Sequence, residues 1–194
     1  HRTYKVQPGD TILVHAAAGG MGLILCQWAK SLGAKIVGTV STEEKAEVAY
    51  DAGCHYPIVR SKESFVDKVR EISDGEGAAV VYEAIGKDTL QDSLDSLRPM
   101  GVCAAYGHVS GPPDPVDIIQ DLGRRGSLFI TRPAIMHYVA KREDLEWTAR
   151  DLFKAIGDGV LDANINYEYA LKDAVKAHEA IESGSTIGAT VLVP

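Results

Sequence analysis

The 194-residue chain is 45% hydrophobic and 24% charged, an ordinary balance for a globular protein with enough apolar material for a core. Its net charge of −7 argues against nucleic acid as the main partner and against a membrane surface. No apolar run reaches the roughly 18 residues of a bilayer span, and the opening residues carry no signal-peptide pattern.

In chain order, "HRTYKVQPGD" contains no Met and runs almost at once into a strand, so the chain reads as a piece of a longer protein. Apolar runs of strand length then recur at residues 11–16, 35–40, 55–59, 78–85, 102–107 and 127–132. Helical patterns separate them at about 20–33, 42–52, 63–73, 87–98 and 115–123. Ser41 and Glu44 have the spacing of a capping box, and Pro99 with Gly101 is expected to stop the fourth helix. Near-continuous apolar strands alternating with helices predict a parallel sheet covered on both faces. The expected fold is therefore α/β, a doubly wound, six-stranded Rossmann sheet within residues 1–132.

Residues 133–194 form a C-terminal α/β segment that such a sheet does not need. It reads as a helix over 142–161 with Leu145, Ala149, Leu152, Phe153 and Ile156 on one stripe. A strand over 165–171, a helix over 172–183 and a closing strand follow.

The first strand runs into "HAAAGGMG", at the carboxyl edge where ligands bind in such sheets. A helix N-terminus offers unpaired N–H groups and the positive end of a dipole to a pyrophosphate. Gly19 lets backbone approach phosphate, and Gly22 lets helix and strand pack closely. The usual first glycine is an alanine, so the motif is only half kept. Enzymes that use NAD place an acid about 20 residues on, against the ribose hydroxyls. Here Gly38, Thr39, Val40 and Ser41 supply none, whereas Lys45 and Arg60 are basic. A hydroxyl and two cations suit a 2′-phosphate, hence NADP(H).

Gly86 and Gly107 keep side chains off the same edge near the fourth and fifth strands. Glu83 is a candidate base, but its strand of core residues favours a structural role. His108 is a candidate proton donor set against plain exposure, and Arg132 a pyrophosphate ligand set against a salt bridge. Cys26, Cys54 and Cys103 are too scattered for a disulfide framework or a zinc ribbon and read as buried reduced thiols, which points to the cytoplasm. No metal site is expected.

The segments "HAAAGGMG", "CQWAKSLGAKIVGTVSTEEKAEVA", "DSLDSLRPMG", "YGHVSGP", "SLFITRP" and "GATVLVP", in that order, resemble the NADPH:quinone oxidoreductases. These are relatives of zeta-crystallin in the zinc-free branch of the medium-chain dehydrogenase/reductase superfamily, and the resemblance covers essentially the whole chain. It implies NADPH-dependent quinone reduction and a homodimer. By position it implies that Ala18, Gly19, Gly20 and Met21 line the pyrophosphate and that Ser41, Lys45 and Arg60 surround the 2′-phosphate. Tyr106, Gly107, His108 and Val109, with Thr131, Arg132 and Pro133, would border the nicotinamide. Gly184 stands where the family has an arginine. The family's barrel-like N-terminal catalytic domain has no counterpart here, and residues 133–194 would return toward it. An enoyl or alkenal reductase and a non-catalytic NADPH-binding module are the alternatives. The sixth strand is expected to be an edge that pairs with its twin in the dimer.

Overall fold

The computed structural model describes residues 2–163 and 165–194. Six strands form one parallel sheet: β1 (Thr11–Val14), β2 (Lys35–Val40), β3 (Tyr56–Val59), β4 (Ala78–Glu83), β5 (Leu97–Ala105) and β6 (Phe129–Thr131). Their order is β3-β2-β1-β4-β5-β6, with every neighbouring pair parallel. This is the doubly wound arrangement expected from the sequence, and β6 is one of its edges.

Alternation along the strands explains why both faces are apolar. Ile12, Val14, Ile36 and Val80 pack on one side with Cys26 and Ala29 of α1 (Gly20–Ser31) and Ala46 and Ala49 of α2 (Glu43–Asp51). Leu13, Val37 and Val81 point to the other side. There they meet Phe65 and Val69 of α3 (Phe65–Ile72) and Leu90 and Leu94 of α4 (Leu90–Asp95). All three cysteines are buried free thiols.

Three local expectations need correction. The second helix is capped by Thr42, not Ser41: the Thr42 hydroxyl accepts from the Lys45 amide, so Lys45 stands where a capping box needs Glu. The fourth helix ends at Asp95, before Pro99 is reached. Leu97 already pairs with Ala78, and residues 98–101 bulge out of the ladder before Val102 pairs with Val80. Met100 takes a φ of 59° in that bulge. Lastly, the fifth helical pattern is only a π-helical turn, Ile118–Gly123, capped by Asp117.

Beyond the sheet come α5 (Ile135–Tyr138), α6 (Arg142–Gly157), β7 (Ile165–Ala170), α7 (Ala174–Glu182) and β8 (Ala189–Val193). Strands β7 and β8 pair in parallel as a separate two-stranded sheet. The apolar stripe read on α6 is largely uncovered, with Phe153 at 68% exposure and Leu145 and Ile156 also exposed. No helix among the described residues is long and apolar enough to cross a membrane.

Candidate functional site

The sheet reverses its winding between β1 and β4, which places a crevice over their carboxyl ends. Just beyond β1, Ala16 takes a left-handed φ of 51° and turns the chain into the glycine loop. Gly19 is the N-cap of α1; it provides no side-chain cap, and the first turn holds no acid. The orphan amides there are aimed at the crevice end of the helix, a setting that favours an anion. Gly22 serves packing: a Cβ there would lie 2.2 Å from the Ala16 carbonyl oxygen and 2.7 Å from Ala17 Cα. A Cβ on Gly19 would meet only the Ala16 oxygen, at 3.2 Å.

One partner of this loop carries no signal in the sequence. Gly188, just before β8, donates its amide to the Ala18 carbonyl at 2.8 Å and bridges to Gly19. Its φ is 69°, and the Asn166 side chain fills the place a Cβ would take. Lys45 Nζ reaches the Gly184 carbonyl at 2.5 Å. The C-terminal segment therefore lies against both the glycine loop and the first basic residue. Only "GSTIG" hints at a turn there, since a sequence does not specify which distant backbone it will touch.

Ser41 and Arg60 are exposed at the carboxyl ends of β2 and β3, and the Arg60 amide donates to Val40 O at 3.2 Å. With Lys45 they share the outer end of the strand edge. At the other end, Tyr106 and Gly107 follow β5, and Thr131, Arg132 and Pro133 end β6 or follow it. Arg132 spends its guanidinium on the Ala105 carbonyl at 2.8 Å and on His108 Nδ1 at 3.2 Å. His108 and Val109 are both exposed. Gly107 is required by the neighbouring strand, because a Cβ would lie 2.3 Å from Ala84 O. Met21, Tyr106 and Pro133 line one apolar groove of about 490 Å³, shared with Trp28 of α1 and Trp147 and Leu152 of α6. Burial, and then the Glu83 charge, push the Tyr106 phenol upward, so it remains a neutral hydrogen-bond donor.

Glu83 is fully buried. Its carboxylate accepts from the amides of Ile85 (2.6 Å) and Gly86 (3.0 Å) and from the hydroxyls of Thr89 (3.0 Å) and Ser93 (2.5 Å). Burial acts to raise its pKa, but the carboxylate is held low, and with His15 neutral it is the Ser93 hydroxyl and the Gly86 and Ile85 amides that favour its charged form. The group touches no crevice surface, which supports its structural role over that of a base. Ser93, His15 and Glu83 are the residue types of a nucleophilic triad, yet all three are sealed in the core.

A family model described as "Zinc-binding dehydrogenase" matches residues 20–154. The chain is 54% identical over 194 residues to a 2-haloacrylate reductase of Burkholderia sp., covering all of this chain and 58% of that protein. It is 46% identical to a quinone oxidoreductase of Salmonella typhimurium, of which it covers 59%. The crystal structure of Escherichia coli quinone oxidoreductase complexed with NADPH superposes with a TM-score of 0.95 at 42% identity, over 100% of this chain and 60% of that one. The chain thus spans about three-fifths of the length of these relatives. The family's description mentions zinc, but the described residues hold no group of three or more His, Cys, Asp or Glu able to bind a metal. Cys54 and His55, adjacent in sequence, are spent on Ile36: the thiol on its carbonyl and the ring on its amide. The chain belongs to the zinc-binding dehydrogenase family and, within the medium-chain dehydrogenase/reductase superfamily, is similar over its whole length to the quinone oxidoreductases.

Proposed function

We propose that this chain is the cofactor-binding part of an NADPH-dependent reductase that passes a hydride to an electron-poor acceptor, with a quinone as the leading candidate. The observation that carries this reading is an acid-free, uncapped helix N-terminus behind the glycine loop, with Ser41, Lys45 and Arg60 at neighbouring strand ends. The NADPH complex of the Escherichia coli relative supports it.

In this reading Ala18, Gly19, Gly20 and Met21 receive the pyrophosphate through backbone amides. Ser41, Lys45 and Arg60 hold the 2′-phosphate by charge-assisted hydrogen bonds. Tyr106, Gly107, His108, Val109, Thr131, Arg132 and Pro133 border the nicotinamide. Bound NADPH supplies the hydride; the chain supplies orientation and a dry apolar flank, and needs no strong acid of its own. Residues 133–194 are read as the segment that packs against a further domain of the full-length protein, a reading favoured by the uncovered apolar stripe of α6. That domain would complete the acceptor pocket. The buried reduced thiols suit a cytoplasmic setting.

One observation favours a second acceptor class: the relative at 54% identity is named for reducing a haloacrylate, an activated alkene. Steady-state oxidation of NADPH by the full-length protein, with benzoquinone, an enone and 2-chloroacrylate as rival acceptors, separates the two. Turnover only with the alkenes removes the quinone assignment. Binding of NADPH without turnover of any acceptor leaves a non-catalytic binding module.

A further inference from the structure

The carboxyl ends of β1 and β4 are joined beneath the crevice by polar side chains that the proposed chemistry does not use. His15 is fully buried, with Nδ1 2.8 Å from Thr39 Oγ1 and Nε2 2.9 Å from Ser93 Oγ. Thr39 belongs to β2, His15 follows β1, Glu83 ends β4, and Ser93 lies on α4. The Phe65 ring closes the site nearly perpendicular to the imidazole, the two centroids 5.0 Å apart.

Proton counting fixes the direction of every bond. Ionised Glu83 only accepts, so the single Ser93 proton goes to its Oε2. The Ser93 oxygen must then accept from His15, which makes His15 the neutral Nε2–H tautomer. Its bare Nδ1 accepts the Thr39 proton. Burial, helped by the Arg60 charge, holds the imidazole pKa at about 4 against the opposing pull of Glu83, so the ring is neutral across the physiological range.

Both ends of this chain of bonds reach the crevice. His15 immediately precedes Ala16, whose left-handed turn begins the glycine loop. Glu83 grips the amide of Gly86, whose φ is 95° and which is wedged against Gly111 O and His108 Cα, at 2.5 and 2.9 Å from where a Cβ would sit. We propose that Thr39, His15, Ser93 and Glu83 are positioning residues that fix the span between the glycine loop and the Gly86–His108 corner, so that one extended dinucleotide fits both. This rests on the NADP(H) reading above.

The test uses the full-length protein and has two readouts. Imidazole 15N shifts should report His15 as the Nε2–H tautomer. In Glu83→Gln the amide oxygen must stay toward the Ile85 and Gly86 amides, so its NH2 faces Ser93 and reverses the chain; His15 should switch to the Nδ1–H tautomer. A wild-type ring that is charged or Nδ1-protonated at neutral pH overturns the proposal. Second, calorimetric titration compares NADPH with adenosine 2′,5′-bisphosphate, which occupies one end only. Ser93→Ala, or Glu83→Gln if that variant does not fold, should weaken NADPH at least tenfold and the half-ligand less than twofold. Equal losses, or none, overturn the positioning role alone. Failure of the wild-type protein to bind NADPH overturns the cofactor reading with it.

Discussion

We propose Lys45 as the residue on which cofactor discrimination turns. Its ammonium group is anchored at the Gly184 carbonyl, beside the place where the 2′-phosphate is proposed to sit. A charge-assisted contact to phosphate is worth about 1.5–3 kcal/mol, and screening at a half-exposed site brings it toward the lower bound. Lys45→Ala should weaken NADPH binding about tenfold and leave NADH within twofold. Equal loss of both would detach Lys45 from the 2′-phosphate. His15 gives the pH dependence. Its pKa falls from 6.5 to about 4 on folding, chiefly by burial, with the Arg60 charge adding and Glu83 opposing. Between those values the unfolded chain binds a proton that the native state refuses, so stability is intact above about 6.5 and declines as pH drops toward 4. Thr39, Ser93 and the Phe65 ring also face the imidazole and carry no charge. His15→Gln should therefore flatten the fall of Tm with pH in that window; an unchanged slope would contradict the assignment. Glycines and basic residues at this scale were legible from type and spacing alone. The His15 network was not, because its members are 24 and 78 residues apart along the chain and only the sheet brings them together.

At the scale of elements, strand periodicity and turn residues gave the alternating pattern, while the ends were decided by side chains that sequence reading ranked wrongly. Thr42 replaces Ser41 as a cap because its hydroxyl is the one that reaches the Lys45 amide. Pro99 lies in a bulge of β5 instead of terminating a helix, since Ser96 has already returned the chain to β4 through the Ala78 amide. Arg70, in the last turn of α3, illustrates how such ends are held. Its guanidinium donates to the carbonyls of Gly75, Glu76, Asp95 and Leu97 at 2.7–3.3 Å, tying α3, the turn into β4 and the start of β5. Arg70→Ala should cost about 1.5–3 kcal/mol in denaturant unfolding. Arg70→Lys should recover only part of it, because an ammonium lacks the planar fork that serves several carbonyls. Full recovery by Lys would mean that charge, not geometry, does the holding.

At the scale of the whole molecule, β6 leaves an open edge with Phe129 59% exposed. We propose that it pairs with its twin across a two-fold axis, which would satisfy its free backbone groups and cover that ring. Phe129→Lys should lower the mass of the full-length protein from dimer to monomer in sedimentation equilibrium. A monomeric wild type would remove the proposal. The C-terminal segment belongs to this scale too. Among the described residues its strands pair only with each other, yet Gly188 docks on the glycine loop and Gly184 on Lys45, so the second element group helps to form the crevice.

The sequence by itself determined the α/β class, the six strands and the first four helices between them, the glycine loop and the missing acid after the second strand. Each is a matter of local residue type or of a period of two or 3.6, which a chain carries wherever it folds. Tertiary structure alone decided which hydroxyls and amides surround Glu83, the joining of Thr39, His15 and Ser93, and the docking of Gly188 against Ala18. Those are contacts between residues far apart in the chain, fixed by which backbones approach and which polar groups must find partners once water is excluded.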